Sequence, residues 1–167
     1  MLTWYCTRRC IESLRATPEE QPSESDTILG DWYVNHIGTS AGNLFVFSNE
    51  RTFASVAIPE SQRHTIEDLF VARVANLLAM LGVPHGTIDL EARKMLPIQY
   101  ARARDQRQLG HLQSIVVQYQ AMSEDNPEGK PLSLSDAELE LARMPHLGSF
   151  NSFPDKELRR LFGIERN

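Results

Sequence analysis

The chain is predicted to be α+β, and three observations carry that reading. Two adjacent runs, Trp32 to Ile37 and Leu44 to Phe47, are dense in aromatic and β-branched residues and are separated by a short glycine-rich turn, as a hairpin requires. A third run, Thr52 to Ile58, alternates, with Ala54, Val56 and Ile58 on one side and Phe53, Ser55 and Ala57 on the other. Beyond residue 65 the apolar residues change to helical spacing. Strands followed by helices imply an antiparallel sheet built on a three-stranded meander, with the helices packed mainly on one face.

In chain order, Leu2 to Cys6 reads as a short outer strand, and Thr7 is placed to N-cap a short helix with Cys10, Ile11 and Leu14 facing inward. Ala16 to Thr27 is rich in Pro, Glu and Ser and offers nothing to bury, so a mobile acidic loop is expected at 16–27. The run Leu44-Phe45-Val46-Phe47 is apolar on both faces, which places it inside the sheet. Ser48 to Arg51 turns the chain, and Pro59 stops the third strand. Thr65-Ile66-Glu67-Asp68 resembles a capping box opening a helix to Leu81, with Ile66, Leu69, Phe70, Val74, Leu77, Leu78 and Leu81 on one stripe and Gly82 as its left-handed terminator. Ile88 to Leu96 reads as a short helix, Pro97 to Arg104 as a strand, and Leu109 to Met122 as a helix. After a polar loop over Ser123 to Pro131, Ser135-Asp136-Ala137-Glu138 reads as a second capping box, with Leu134 stapled on Leu139. Ser152-Phe153-Pro154-Asp155 opens the last helix, which ends at Gly163.

At 167 residues the chain suits one domain, 1–167, and can bury roughly 70% of its unfolded surface. A net charge of −5 argues against wholesale binding to nucleic acid or anionic membrane but leaves room for a local basic face. No charged start followed by an apolar run marks a signal peptide, and no apolar stretch is long enough to cross a bilayer, so no membrane role and a cytoplasmic setting are expected. Cys6 and Cys10 lack the spacing of a redox pair and lack neighbouring ligands, so they read as packed thiols.

Four segments resemble a known family: Cys6-Thr7-Arg8-Arg9, Leu29-Gly30-Asp31-Trp32-Tyr33-Val34-Asn35, Phe47-Ser48-Asn49-Glu50-Arg51-Thr52 and Ala142-Arg143-Met144-Pro145. They are similar to a bacterial family of small proteins described as domain of unknown function 6933. The resemblance spans nearly the whole chain, and Gly30-Asp31-Trp32-Tyr33 with Asn49-Glu50 is its most specific part. It implies no activity. The chain departs from the family pattern after Leu109-Gly110, where His111, Leu112, Gln113 and Ser114 follow.

No complete catalytic, metal or cofactor motif is present, so no metal and no cofactor are expected. Gly38 to Gly42 lacks the lysine of a phosphate loop and is followed by a strand, so it reads as a hairpin turn. The five histidines have no metal-ligand spacing. His36, beside Asn35 and Asp31, is the one weak catalytic candidate, to be weighed against a solvated strand-end histidine. Asp31, Asn49 and Glu50 converge at the sheet end or bond their own turns. The basic run Arg93, Lys94, Arg102, Arg104 and Arg107 stands out in an acidic chain. On a strand, Tyr100, Arg102 and Arg104 share a face, and tyrosine with arginine can stack a base and pair a phosphate. A plain solvated face is the competing reading. The ligand-binding candidates are therefore Trp32, Tyr33, Tyr100, Arg102, Arg104 and Arg107. The expected function is a non-enzymatic binding module with a protein or nucleic-acid partner; the alternative is a metal-independent hydrolase of the ribonuclease type using His36, Tyr100 and arginines.

Overall fold

The computed structural model describes residues 1–124, 133–145 and 153–164. Its strands are β1 (Leu2–Cys6), β2 (Trp32–Thr39), β3 (Gly42–Asn49), β4 (Ser55–Pro59) and β5 (Ile98–Arg102). Its helices are α1 (Arg8–Leu14), α2 (Ile66–Met80), α3 (His85–Met95), α4 (Gln106–Glu124), α5 (Leu134–Arg143) and α6 (Pro154–Leu161), with a 3-10 segment over Glu60–Thr65. The five strands form one sheet in the order β4-β3-β2-β1-β5.

The meander is present: β2 pairs antiparallel with β3, and β3 with β4. The sheet as a whole is mixed, which corrects the antiparallel expectation. β1 runs parallel to β2 on one side and to β5 on the other. It is an inner strand, not an outer one. Side-chain alternation reports which face a residue takes but not the direction of its partner strand, and both partners of β1 lie far along the chain.

Helices α1, α2, α3 and α6 pack on one face, in keeping with the expectation of helices mainly on one side, but α4 covers the other. Trp4, Trp32, Val34, Phe45, Phe47, Val56 and Ile58 face the front, where Phe70, Leu77, Leu78 and Leu158 bury them. Tyr33, Ile37, Leu44, Val46 and Ala57 face the back, against Leu112, Ile115, Val116 and Tyr119 of α4. Strands apolar on both faces leave about 25 cal/mol per Å2 of apolar area unrecovered unless both are covered. The front core is aromatic: Trp4 meets Phe47, Phe70 and Tyr100 edge-on at 4.9, 5.1 and 5.4 Å. Helix α5 contributes Ala142 to the front core and Ala137 to the back, so it wraps the outer edge of β4.

Local boundaries moved for identifiable reasons. Thr7 caps α1, its hydroxyl accepting from Cys10 N. Thr65 makes no side-chain cap, because the 3-10 segment leads directly into α2. The cap of α5 is Ser133, which accepts from Asp136 N, and not Ser135. β4 starts at Ser55 rather than Thr52, since Phe53 turns with φ +60°. Segment 16–27 is irregular, as read, but it is tied to β5: Glu19 N donates to Tyr100 O, and Gln99 exchanges bonds with the Ser23 backbone. The 123–131 loop, the Ser152 start and His146 fall wholly or partly outside the described residues.

Candidate functional site

The two segments most specific to the resemblance meet in one clasp. Asn49, fully buried at the end of β3, donates through Nδ2 to the carbonyls of Leu29 (2.9 Å) and Asp31 (3.3 Å). Its Oδ1 accepts from Arg51 N, Thr52 N and Thr52 Oγ1. Glu50 Oε1 accepts from Asp31 N at 3.0 Å, and Glu50 N donates to Asp31 O. Gly30 stands between them with φ +74°. Buried Glu91 of α3 closes the other side, accepting from Ile28 N and Leu29 N at 3.0 Å each. Nearly all the hydrogen bonds of this clasp go to the backbone, so Asn49 and Gly30 are architectural. The sequence signal was strong here because the turn chemistry is exacting, not because it is reactive.

Asp31 and Glu50 leave one polar strip on the back face. Tyr5 stacks on Tyr33 with centroids 5.1 Å apart. Asp31 Oδ1 accepts from Thr3 N at 2.8 Å, and Gln108 Nε2 donates to Glu50 O. Burial, then the neighbouring Glu50, raises the Asp31 carboxyl above the usual range, against the pull of the Thr3 N–H. Burial also raises both tyrosines, with the nearby carboxylates adding to it.

The predicted ligand residues do not form one site. Trp32 is buried in the front core against Phe70 and offers no surface. Tyr33 lies on the opposite face. Tyr100 faces the front, half-buried, with its hydroxyl bonded to the Glu67 carboxylate of α2; burial raises both groups. It lines a cleft of about 580 Å3 together with Glu67, Asp68, Arg63 and His64. His36 is buried on the front face with Nε2 3.2 Å from Glu60 Oε1. Glu60 also accepts from Asn43 and Ser13, and the Asn43 bond chiefly holds its carboxyl below the usual range. Neither this cleft nor a second one of about 710 Å3 beside the β2–β3 hairpin is lined by His36, Arg102 or Arg104.

Arg102, Arg104 and Arg107 are exposed at the carboxyl end of β5 and the start of α4. The parallel pairing places Arg102 opposite Cys6. Arg8 and Arg9, which open α1 just after β1, therefore stand at the same end of the sheet. From here α1 packs onto the front face and α4 onto the back. The ends of β1 and β5 thus lie at a topological switch point, the usual place for a ligand in parallel sheets. Arg8 pairs with Glu12 at 3.0 Å. Arg9, Arg102, Arg104 and Arg107 make no ion pair among the described residues. Asp105, the carboxylate between them, accepts from Gln108 N as the cap of α4. Arg8 and Arg9 were missed as site residues because their nearness to β5 depends on a parallel pairing that local pattern does not encode.

Among the described residues no group of side chains has the make-up of a metal site, and no helix is long and apolar enough to cross a membrane. The architecture is that of a small α+β protein with a mixed five-stranded sheet and a basic sheet end. Residues 3–157 match the family described as domain of unknown function (DUF6933), and the chain belongs to that family. No curated protein and no solved structure matches it.

Proposed function

We propose that the protein is a non-enzymatic binding module whose basic sheet end takes a phosphate-bearing ligand, with single-stranded nucleic acid as the first candidate, in the bacterial cytoplasm expected from the sequence. The observation that carries this is the set Arg9, Arg102, Arg104 and Arg107 without ion pairs among the described residues, gathered at a switch point of a chain whose net charge is −5. Like charges held together raise the local potential, and an incoming phosphate relieves it. Arginine pairs phosphate with two parallel N–H bonds, which favours it over a mere counter-ion role. Tyr100 stays outside this site, engaged with Glu67. The hydrolase alternative draws no support, because His36 shares no described cleft with an arginine of the sheet end and no base, acid and phosphate clamp converge.

The test is fluorescence anisotropy with short RNA and DNA oligonucleotides at low and physiological salt. Contact with three phosphates of a single strand gives a slope of about −2 in log K against log salt. Arg102→Glu with Arg104→Glu should remove binding while the circular dichroism spectrum is unchanged. Absence of binding at low salt, or equal binding by the double variant, rejects the nucleic-acid reading and turns the search to protein partners.

A further inference from the structure

The cleft beneath the first turn of α2 lies outside the arginine end and has a different character. Two carboxylates, Glu67 and Asp68, and two basic side chains, Arg63 and His64, line it within one short stretch of chain. No ion pair joins any of the four among the described residues. Residues four apart are neighbours on a continuous α-helix, but Thr65 between the two pairs has the non-helical φ −118° and ψ 22°, so Arg63 and His64 do not stack over Glu67 and Asp68. The floor is fixed, with Tyr100 donating to Glu67, and Leu96 and Pro97 supply an apolar wall. Its volume of about 580 Å3 lies within the range of small-molecule sites. Charges of both signs exclude a simple anion or cation site. The chain bends at Thr65 (φ −118°, ψ 22°) between the basic and the acidic pair, so opposite charges line the cleft from either side of that bend, as a short methylene chain carrying opposite charges requires.

We propose that this cleft binds a small amino-carboxylate, with the ammonium received by Glu67 and Asp68 and the carboxylate by Arg63 and His64. The chain between them lies on Leu96 and Pro97. Glu67, raised by burial and by Asp68 but held as an acceptor by Tyr100, gains most from an arriving cation.

The experiment is a titration of the 15N-labelled protein with 5-aminovalerate, followed by amide shifts, with pentylamine and pentanoate as the two half-ligands. The amides of residues 63–68 and 98–100 should move with 5-aminovalerate, and each half-ligand should bind at least tenfold more weakly. Glu67→Gln should weaken binding about tenfold. Arg63→Gln, on the exposed rim and outside the core, should do the same with the remaining spectrum unchanged. The proposal is overturned if 5-aminovalerate moves none of these amides, if either half-ligand binds equally well, or if Arg63→Gln binds as the parent does. Oligonucleotide binding at the arginine end is read separately, so either result stands without the other.

Discussion

At the scale of single residues, Asn49 and Gly30 show how one side chain can set the cost of a turn. Asn49→Ala strips the Leu29 carbonyl and the Thr52 N–H of their partners at a fully buried position, while Asp31 O keeps Glu50 N. Each buried polar group left unpaired costs about 1–3 kcal/mol, so a loss of about 2–6 kcal/mol is expected in urea unfolding. Gly30→Ala is a smaller lesion. The added Cβ would lie 2.4 Å from Glu50 Oε1 and 2.8 Å from Arg51 Nε, but both belong to partly exposed side chains able to move. The remaining costs are the Asp31 N bond that Glu50 Oε1 gives up on moving and the positive φ, about 1–2 kcal/mol. A Gly30→Ala variant less stable than Asn49→Ala would show that the side-chain clash, not the backbone, dominates. The turn residues of this clasp were legible in the sequence as a polar cluster. Their job was not, because Asp, Asn and Glu look the same whether they face a ligand or a backbone amide. Trp32 illustrates the reverse: an aromatic beside polar residues suggests a platform, yet strand alternation turned it into the front core.

At the scale of elements, the two outer strands are protected in unequal ways. α5 covers β4 with side chains on both faces, whereas segment 16–27 meets β5 through its main chain and the Gln99 amide. Main-chain partners survive substitution, so replacing residues 19–25 by a Gly/Ser linker should shift the melting temperature by only a few degrees; a loss of about 10 °C, equivalent to more than 1 kcal/mol for a domain of this size, would mean that the side chains matter. For α5, Ser133→Ala should cost about 1 kcal/mol and Ser135→Ala much less, since only Ser133 caps. Equal effects in a thermal melt would contradict that assignment. Helix existence was readable from apolar spacing, and the error at Ser133 came from two serines two residues apart, each with an acidic residue three positions on. Phe45 and Phe47 were read correctly as interior, and Phe47→Ala should cost about 3–5 kcal/mol.

For the molecule as a whole, an ion pair joining α2 to α5, Arg73 with buried Glu138, links stability to pH. Desolvation pushes the Glu138 carboxyl up to about 7 against the pull of Arg73. A carboxyl raised on folding holds its proton more tightly in the folded state, so its stabilising contribution is full below its unfolded value of 4.5 and is lost as pH rises through about 7. The melting temperature should therefore fall between pH 5 and 8, and Glu138→Gln should flatten that slope; an unchanged slope in the variant would assign the effect to another group. The whole-molecule arrangement was the least legible level, because the parallel pairings of β1 are choices between segments about 30 and 96 residues away. Those pairings also dictate an order of assembly. The β2–β3–β4 meander closes through two short turns, while β1 needs partners on both sides and gains the second only after Arg102 has been synthesised. Until then a nascent chain carries Leu2, Trp4 and Cys6 on a bare strand edge, open to pairing with neighbouring chains. Ribosome-bound chains stopped before β5 should accordingly recruit holdase chaperones, and those extended past it should shed them.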